Sequence, residues 1–137
     1  MTEAVGTVIG FDYGTRWIGI AVGLTLTRQA RPLGAIKSSD WGAIEQVLRE
    51  WQPQRLVVGL PLTMQGEEQD MSARAERFGR QLEGRFGIAT ELIDERLTTR
   101  EAYSVAIENG QYRTRQEIDS LAAALLTESW LREYQAD

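Results

Sequence analysis

Four acidic side chains stand where β-prone or amphipathic segments end: Asp12, the pair Asp94-Glu95, and Asp119. Asp12 closes the apolar run Val8-Ile9-Gly10-Phe11 and precedes Tyr13-Gly14-Thr15. An ionised carboxylate among strand-forming residues is costly unless something pairs with it. It serves either as an Asx residue capping the turn or as a ligand for a metal or phosphate. Asp94-Glu95 ends a second β-prone run, and Asp119 lies within a helical pattern. If the strands carrying Asp12 and Asp94-Glu95 are parallel, both end at the carboxyl edge of one sheet, where ligands bind in open α/β folds. A helix rich in alanine packed there would bring Asp119 close. Crowded carboxylates repel unless cations neutralise them, and hard divalent ions such as Mg²⁺ or Mn²⁺ suit oxygen ligands. Two such ions about 4 Å apart can activate water and stabilise the leaving oxygen of a phosphodiester. The competing structural reading makes Asp94-Glu95-Arg96 a surface salt-bridge cluster and Asp119 a solvated helix residue.

Composition narrows the chemistry. The chain has 137 residues, no cysteine and no histidine. Disulfides, thiolate zinc sites, Ser-His-Asp catalysis and imidazole acid–base chemistry are all excluded. Hydrolysis must then run on carboxylates, hydroxyls, amines or a metal ion. Length predicts a single domain over 1–137, and a 42% hydrophobic content is enough for a core. No run reaches membrane-spanning length and no signal-peptide pattern opens the chain, so a soluble cytoplasmic protein without a membrane partner is expected. Net charge is −5, with Lys37 the sole lysine. Arginine suits bidentate phosphate contacts, and Arg16, Arg96, Arg100, Arg113 and Arg115 flank the acidic positions. They read as a phosphate-contacting rim, or as solubility and local ion pairing. Trp17, Trp41, Trp51 and Trp130 read as packing residues.

The elements that must position these groups follow from periodicity. Residues 5–12 and 17–23 predict a hairpin with Gly14 supplying turn freedom. A third strand is expected at 31–37, with Pro32 near its start. Ser38, Ser39 or Asp40 can cap a helix carrying Trp41, Ile44, Val47, Leu48 and Trp51, which Pro53 ends. The run 55–61 predicts a strand buried on both faces. After a polar loop at 62–70, Met71, Ala75, Phe78 and Leu82 mark a second helix closed by Gly84 and Gly87. A last strand is expected over 88–96 and a third helix from Thr98 or Thr99 to Gly110. A final helix spans about 114–134, with Ile118, Leu121, Ala122, Leu125 and Ser129 on one stripe. The order predicts a mixed α/β sheet with helices on both faces.

These motifs also resemble a known family. Gly10-Phe11-Asp12-Tyr13-Gly14-Thr15-Arg16 with Ile18-Gly19-Ile20-Ala21-Val22 is similar to the opening motif of the YqgF/RuvX family. Val58-Gly59-Leu60-Pro61, Asp94-Glu95-Arg96-Leu97-Thr98-Thr99 with Glu101-Ala102, and Ile118-Asp119-Ser120-Leu121-Ala122-Ala123 resemble its remaining motifs, in order, over about residues 5 to 131. That family is described as Holliday junction resolvases and as nucleases for the small-subunit ribosomal RNA precursor. The resemblance implies a ribonuclease H-like fold, a five-stranded mixed sheet whose second strand is antiparallel. It implies phosphodiester hydrolysis with Mg²⁺ or Mn²⁺, catalytic acids Asp12, Glu95 and Asp119, and Asp94 as a further metal ligand. Related resolvases place a glutamate on the middle strand, where this chain has Gly59, so the pair at 94–95 would have to substitute.

The substrate expected is RNA, in particular the precursor ends of 16S ribosomal RNA, handled by a monomer or weak dimer. A four-way DNA junction is the alternative. Tyr13 and Tyr112 are candidate stacking platforms. Two further classes stay open: a non-catalytic nucleic-acid-binding module, and a sugar-kinase or actin-like ATPase, which shares the Asp12-Tyr13-Gly14-Thr15 turn pattern but usually encloses its nucleotide between two domains.

Overall fold

The structure is a computed structural model that describes residues 6–63, 65–95, 108–110 and 114–134. The chain opens with an antiparallel meander, β1 (Thr7–Asp12), β2 (Trp17–Leu24) and β3 (Gln29–Lys37). Helix α1 (Trp41–Trp51), strand β4 (Arg55–Leu60), helix α2 (Asp70–Phe86), strand β5 (Thr90–Asp94) and helix α3 (Arg115–Glu133) follow. The sheet order is β3-β2-β1-β4-β5. Strands β1, β4 and β5 are parallel, and β2 is antiparallel to both neighbours, as expected. The expected helix between Thr98 and Gly110 lies almost wholly outside the described residues, as do Arg96, Arg100, Tyr112 and Arg113.

Strand alternation divides the core. Ile9, Phe11, Ile18, Ile20, Leu56 and Val58 pack with Ile44 and Leu48 of α1 and with Ala75, Phe78 and Leu82 of α2. The opposite sheet face meets α3: Val8, Val57 and Ile93 pack with Leu126, Trp130 and Leu131. Helices therefore cover both faces. β4 is buried through its four central residues, as its continuous apolar run requires.

Local chemistry sets the element ends. Asp40 caps α1, accepting from the Ala43 amide at 3.1 Å. Gln69 and Ser72 form a capping box on α2, and the Ser72 hydroxyl also donates to the Pro61 carbonyl. Thr114 caps α3, accepting from the Glu117 amide at 3.1 Å.

Several expectations are corrected. Gly84 lies inside α2, and Gly87 alone ends it, at φ 67°. Strand β3 begins at Gln29, so Pro32 falls within it, beside the register shift at Ile20/Ala21. An edge strand at a bulge tolerates the missing N–H. Strand β5 stops at Asp94, leaving Glu95 in a 3-10 turn. Gly14 is absent from the positive-φ residues; its need is space, since a Cβ there would lie 2.5 Å from the Trp17 carbonyl oxygen. The buried side of α3 is also wider than the stripe assigned to it. Ala123, Ala124, Leu126, Thr127 and Leu131 are buried, whereas Ile118, Ala122 and Leu125 are only half-buried. Packed closely on the sheet, α3 buries small residues that a simple amphipathic reading passes over.

Candidate active site

Glycines on the α3 side of the sheet bring the carboxylates together. Asp12 is the cross-strand partner of Gly19. A Cβ at Gly19 would lie 2.0 Å from the Asp119 carbonyl oxygen, so the α3 backbone rests directly on β2 there. A Cβ at Gly10 would come within 1.7 Å of Thr127 Oγ1. These two positions seat α3 against the β1–β2 hairpin and hold Asp119 beside Asp12. Gly59 does the same for the third acid. Phe11 pairs with Val58, which puts Gly59 level with Asp12 on the neighbouring strand. A Cβ at Gly59 would lie 2.7 Å from Glu95 Oε1. The Glu95 carboxylate thus occupies the space above β4 that a side chain at position 59 would need. Sequence reasoning missed Gly19 and Gly59 as positioning residues. The available signal was glycine inside a strand, which marks a close approach.

The Asp12 and Glu95 carboxyls lie within hydrogen-bonding reach of one another. Two carboxyl groups can bond only if one keeps its proton. Burial pushes the Asp12 carboxyl well above the usual carboxylate range, and the nearby charge of Glu95, its hydrogen bond and the charge of Asp119 add to the effect. Arg115 opposes it. Burial also raises Glu95, the hydrogen bond from Asp12 lowers it, and the charge of Asp94 raises it again. Both carboxyls are thus held above their ordinary range, Asp12 the more strongly. Asp119 is engaged by Arg115, whose Nε lies 3.3 Å from its Oδ1. Asp94 borders a different cavity, with Arg55, Glu91, Trp130 and Tyr134. Of the acids at 94–95, Glu95 is the one that meets Asp12.

A cleft of about 570 Å³ opens beside Asp12 and Asp119, walled by Tyr13, Arg16, Met71 and Arg115. Arg16, Arg115 and Tyr13 line this cleft, and the Arg115–Asp119 pair is also what the ion-pairing reading expects. Among the described residues no three acidic groups converge tightly enough to close a metal site in this arrangement. The donor chemistry nevertheless fits a hard cation. The donors are all oxygen, and the half-buried carboxyls of Asp12 and Glu95 adjoin each other, a donor type that suits a divalent ion.

The comparisons with known proteins agree with one another. The chain is 52% identical over 136 residues to a protein of Azotobacter vinelandii named "Putative pre-16S rRNA nuclease", covering 94% of this chain and 95% of that one. A protein of the same name from Escherichia coli O157:H7 is 48% identical over 134 residues, covering 93% and 97%. Among solved structures, T. thermophilus RuvC in complex with a Holliday junction substrate superposes with a TM-score of 0.62 at 18% identity, covering 96% of this chain and 98% of that one. That likeness establishes the RuvC-type, ribonuclease H-like fold. The sequence match to the RuvX family, described as Holliday junction resolvase, runs over residues 6–133, and the chain belongs to that family.

Proposed function

We propose that this protein is a divalent-metal-dependent nuclease whose preferred substrate is RNA, in particular the precursor ends of 16S ribosomal RNA. The observation that supports the reading is the Asp12–Glu95 pair at the carboxyl edge of the parallel strands, with Asp119 near Asp12 beside an open cleft. The names of the curated relatives support the RNA substrate. A junction resolvase needs a broad basic face to hold four duplex arms. A narrow rim of Arg16 and Arg115 suits one strand better.

Asp12, Glu95 and Asp119 would hold Mg²⁺ or Mn²⁺, with Asp94 adding negative charge nearby. When bound, the cation supplies charge neutralisation for the phosphodiester and lowers the pKa of water. The residues do the rest. Asp12 and Glu95 would serve as carboxylates, any proton held between them passing to solvent water. Arg115 lines the cleft, where it would contact a phosphate of the strand. Tyr13 borders the same cleft, where a base can pack against it. The chain is expected to act in the cytoplasm as a single-domain monomer or weak dimer.

The test is cleavage by purified protein with Mn²⁺, at matched salt, of an RNA carrying a 16S precursor end and of a four-way DNA junction, with Asp12→Asn as control. Faster RNA cutting that Asp12→Asn abolishes supports the reading. Symmetric paired nicks in the junction, faster than any RNA cleavage, would restore the resolvase. Binding of either substrate with no cleavage would favour a non-catalytic module.

A further inference from the structure

A second cleft adjoins the first. Its volume is about 390 Å³, and it is lined by Tyr13, Trp41, Phe78, Arg74, Arg77 and Gln81. Both clefts fall within the range of roughly 300–1,000 Å³ typical of ligand sites. Tyr13 borders both, so the second cleft adjoins the first across this side chain. The floor of this cleft is aromatic. The Phe78 ring lies 4.9 Å from Tyr13 and 5.6 Å from Trp41. The wall is cationic. Arg74 and Arg77 are exposed and lie nearly one turn apart on α2, and Arg85 further along the helix stacks over Trp41 at 4.1 Å.

Arg74 and Arg77 form no ion pair among the described residues. Like charges at this helical spacing repel modestly. In a chain with net charge −5, two such arginines side by side over aromatic rings are chemistry for a polyanion with planar bases.

We infer that a single-stranded polynucleotide leaving the carboxylate cleft passes Tyr13 and continues into this second cleft, where Arg74 and Arg77 hold its phosphates above the Tyr13–Phe78–Trp41 floor. The inference rests on the nucleic-acid reading above and adds the path of the flanking strand. It makes the protein a reader of strand length beyond the cut site.

The experiment is equilibrium binding of fluorescently labelled single-stranded RNAs of increasing length to the full chain in EDTA, followed by anisotropy across a salt series. Arg74→Ala/Arg77→Ala should lower the salt slope by about 1.4, since each phosphate contact on a single strand contributes about 0.7. At 0.1 M salt that corresponds to about 25-fold weaker binding of the longer RNAs. The defect should grow with length, and Arg74→Lys/Arg77→Lys should recover most of the slope. Arg49→Ala/Arg132→Ala removes the same charge from exposed sites elsewhere and serves as control. Wild-type affinity and slope in the Arg74/Arg77 variant, or an equal loss in the control, would overturn the path. No cleavage is read, so the path can stand if the protein cuts neither substrate. Equally, an active ribonuclease with unchanged binding in the variant would refute the path alone.

Discussion

Replacing Gly19 with alanine tests the central claim about how the acids are assembled. The added Cβ would lie 2.0 Å from the Asp119 carbonyl oxygen, 2.3 Å from its carbon and 2.8 Å from the Ser120 nitrogen. All are backbone atoms of a helix, so no side chain can swing aside. Restoring ordinary contact requires the start of α3 to lift by about 1.4 Å. Overpacking of this kind costs about 2–3 kcal/mol, which for a chain of this size lowers Tm by roughly 10 °C. The lift also carries Asp119 away from Asp12, and a misplacement near 1 Å in a catalytic group costs about 100-fold in rate. The assay pairs thermal unfolding by circular dichroism with Mn²⁺-dependent RNA cleavage well below the variant's Tm. Gly23→Ala is the comparison: its Cβ meets Leu131 Cδ1 at 2.8 Å, a flexible side chain on a later turn of the helix. It should lose stability with a much smaller loss of rate. Wild-type Tm and rate in Gly19→Ala would refute the seating of α3 on β2.

Gly59→Ala should displace Glu95, whose Oε1 lies 2.7 Å from the new Cβ, and reduce cleavage more than stability; cleavage kinetics beside thermal melts decide it. Asp12→Asn should abolish cleavage, yet raise Tm at neutral pH in EDTA. The folded pKa of Asp12 is raised, so its contribution to stability is complete below the ordinary carboxylate range and is lost as pH rises through the folded value. Wild-type Tm in EDTA should therefore fall over that upward pH interval, and the fall should be smaller in Asp12→Asn; parallel Tm–pH curves would count against the buried proton. Mg²⁺ or Mn²⁺ should raise Tm by mass action, more at pH 8 than at pH 5, because cation and proton compete for the same oxygens. Gly84→Ala meets open space within α2 and should leave cleavage unchanged while stabilising the protein by up to about 1 kcal/mol, read from the melt.

Much of this architecture is local and therefore legible in the residues. Alternating or continuous apolar runs define the strands, and Asp40, Thr114 and Gly87 mark helix ends through their own hydrogen bonds or backbone conformation. The missing histidine and cysteine remove imidazole and thiolate chemistry before any fold is known. The acids themselves could be picked out because each ends a β-prone run or sits within a helical pattern. Which of Asp94 and Glu95 faces Asp12 was not legible: it depends on where β5 stops and on the turn after it, set by pairing with β4. The roles of Gly10, Gly19 and Gly59 were equally hidden. An absent side chain has no periodicity of its own, and its meaning lies in what another segment places above it. The same holds for α3, whose buried small residues make sense only against a sheet close enough to touch its backbone. The raised pKa of Asp12 is likewise a tertiary property, because burial and a neighbouring carboxylate, both supplied by packing, cause it.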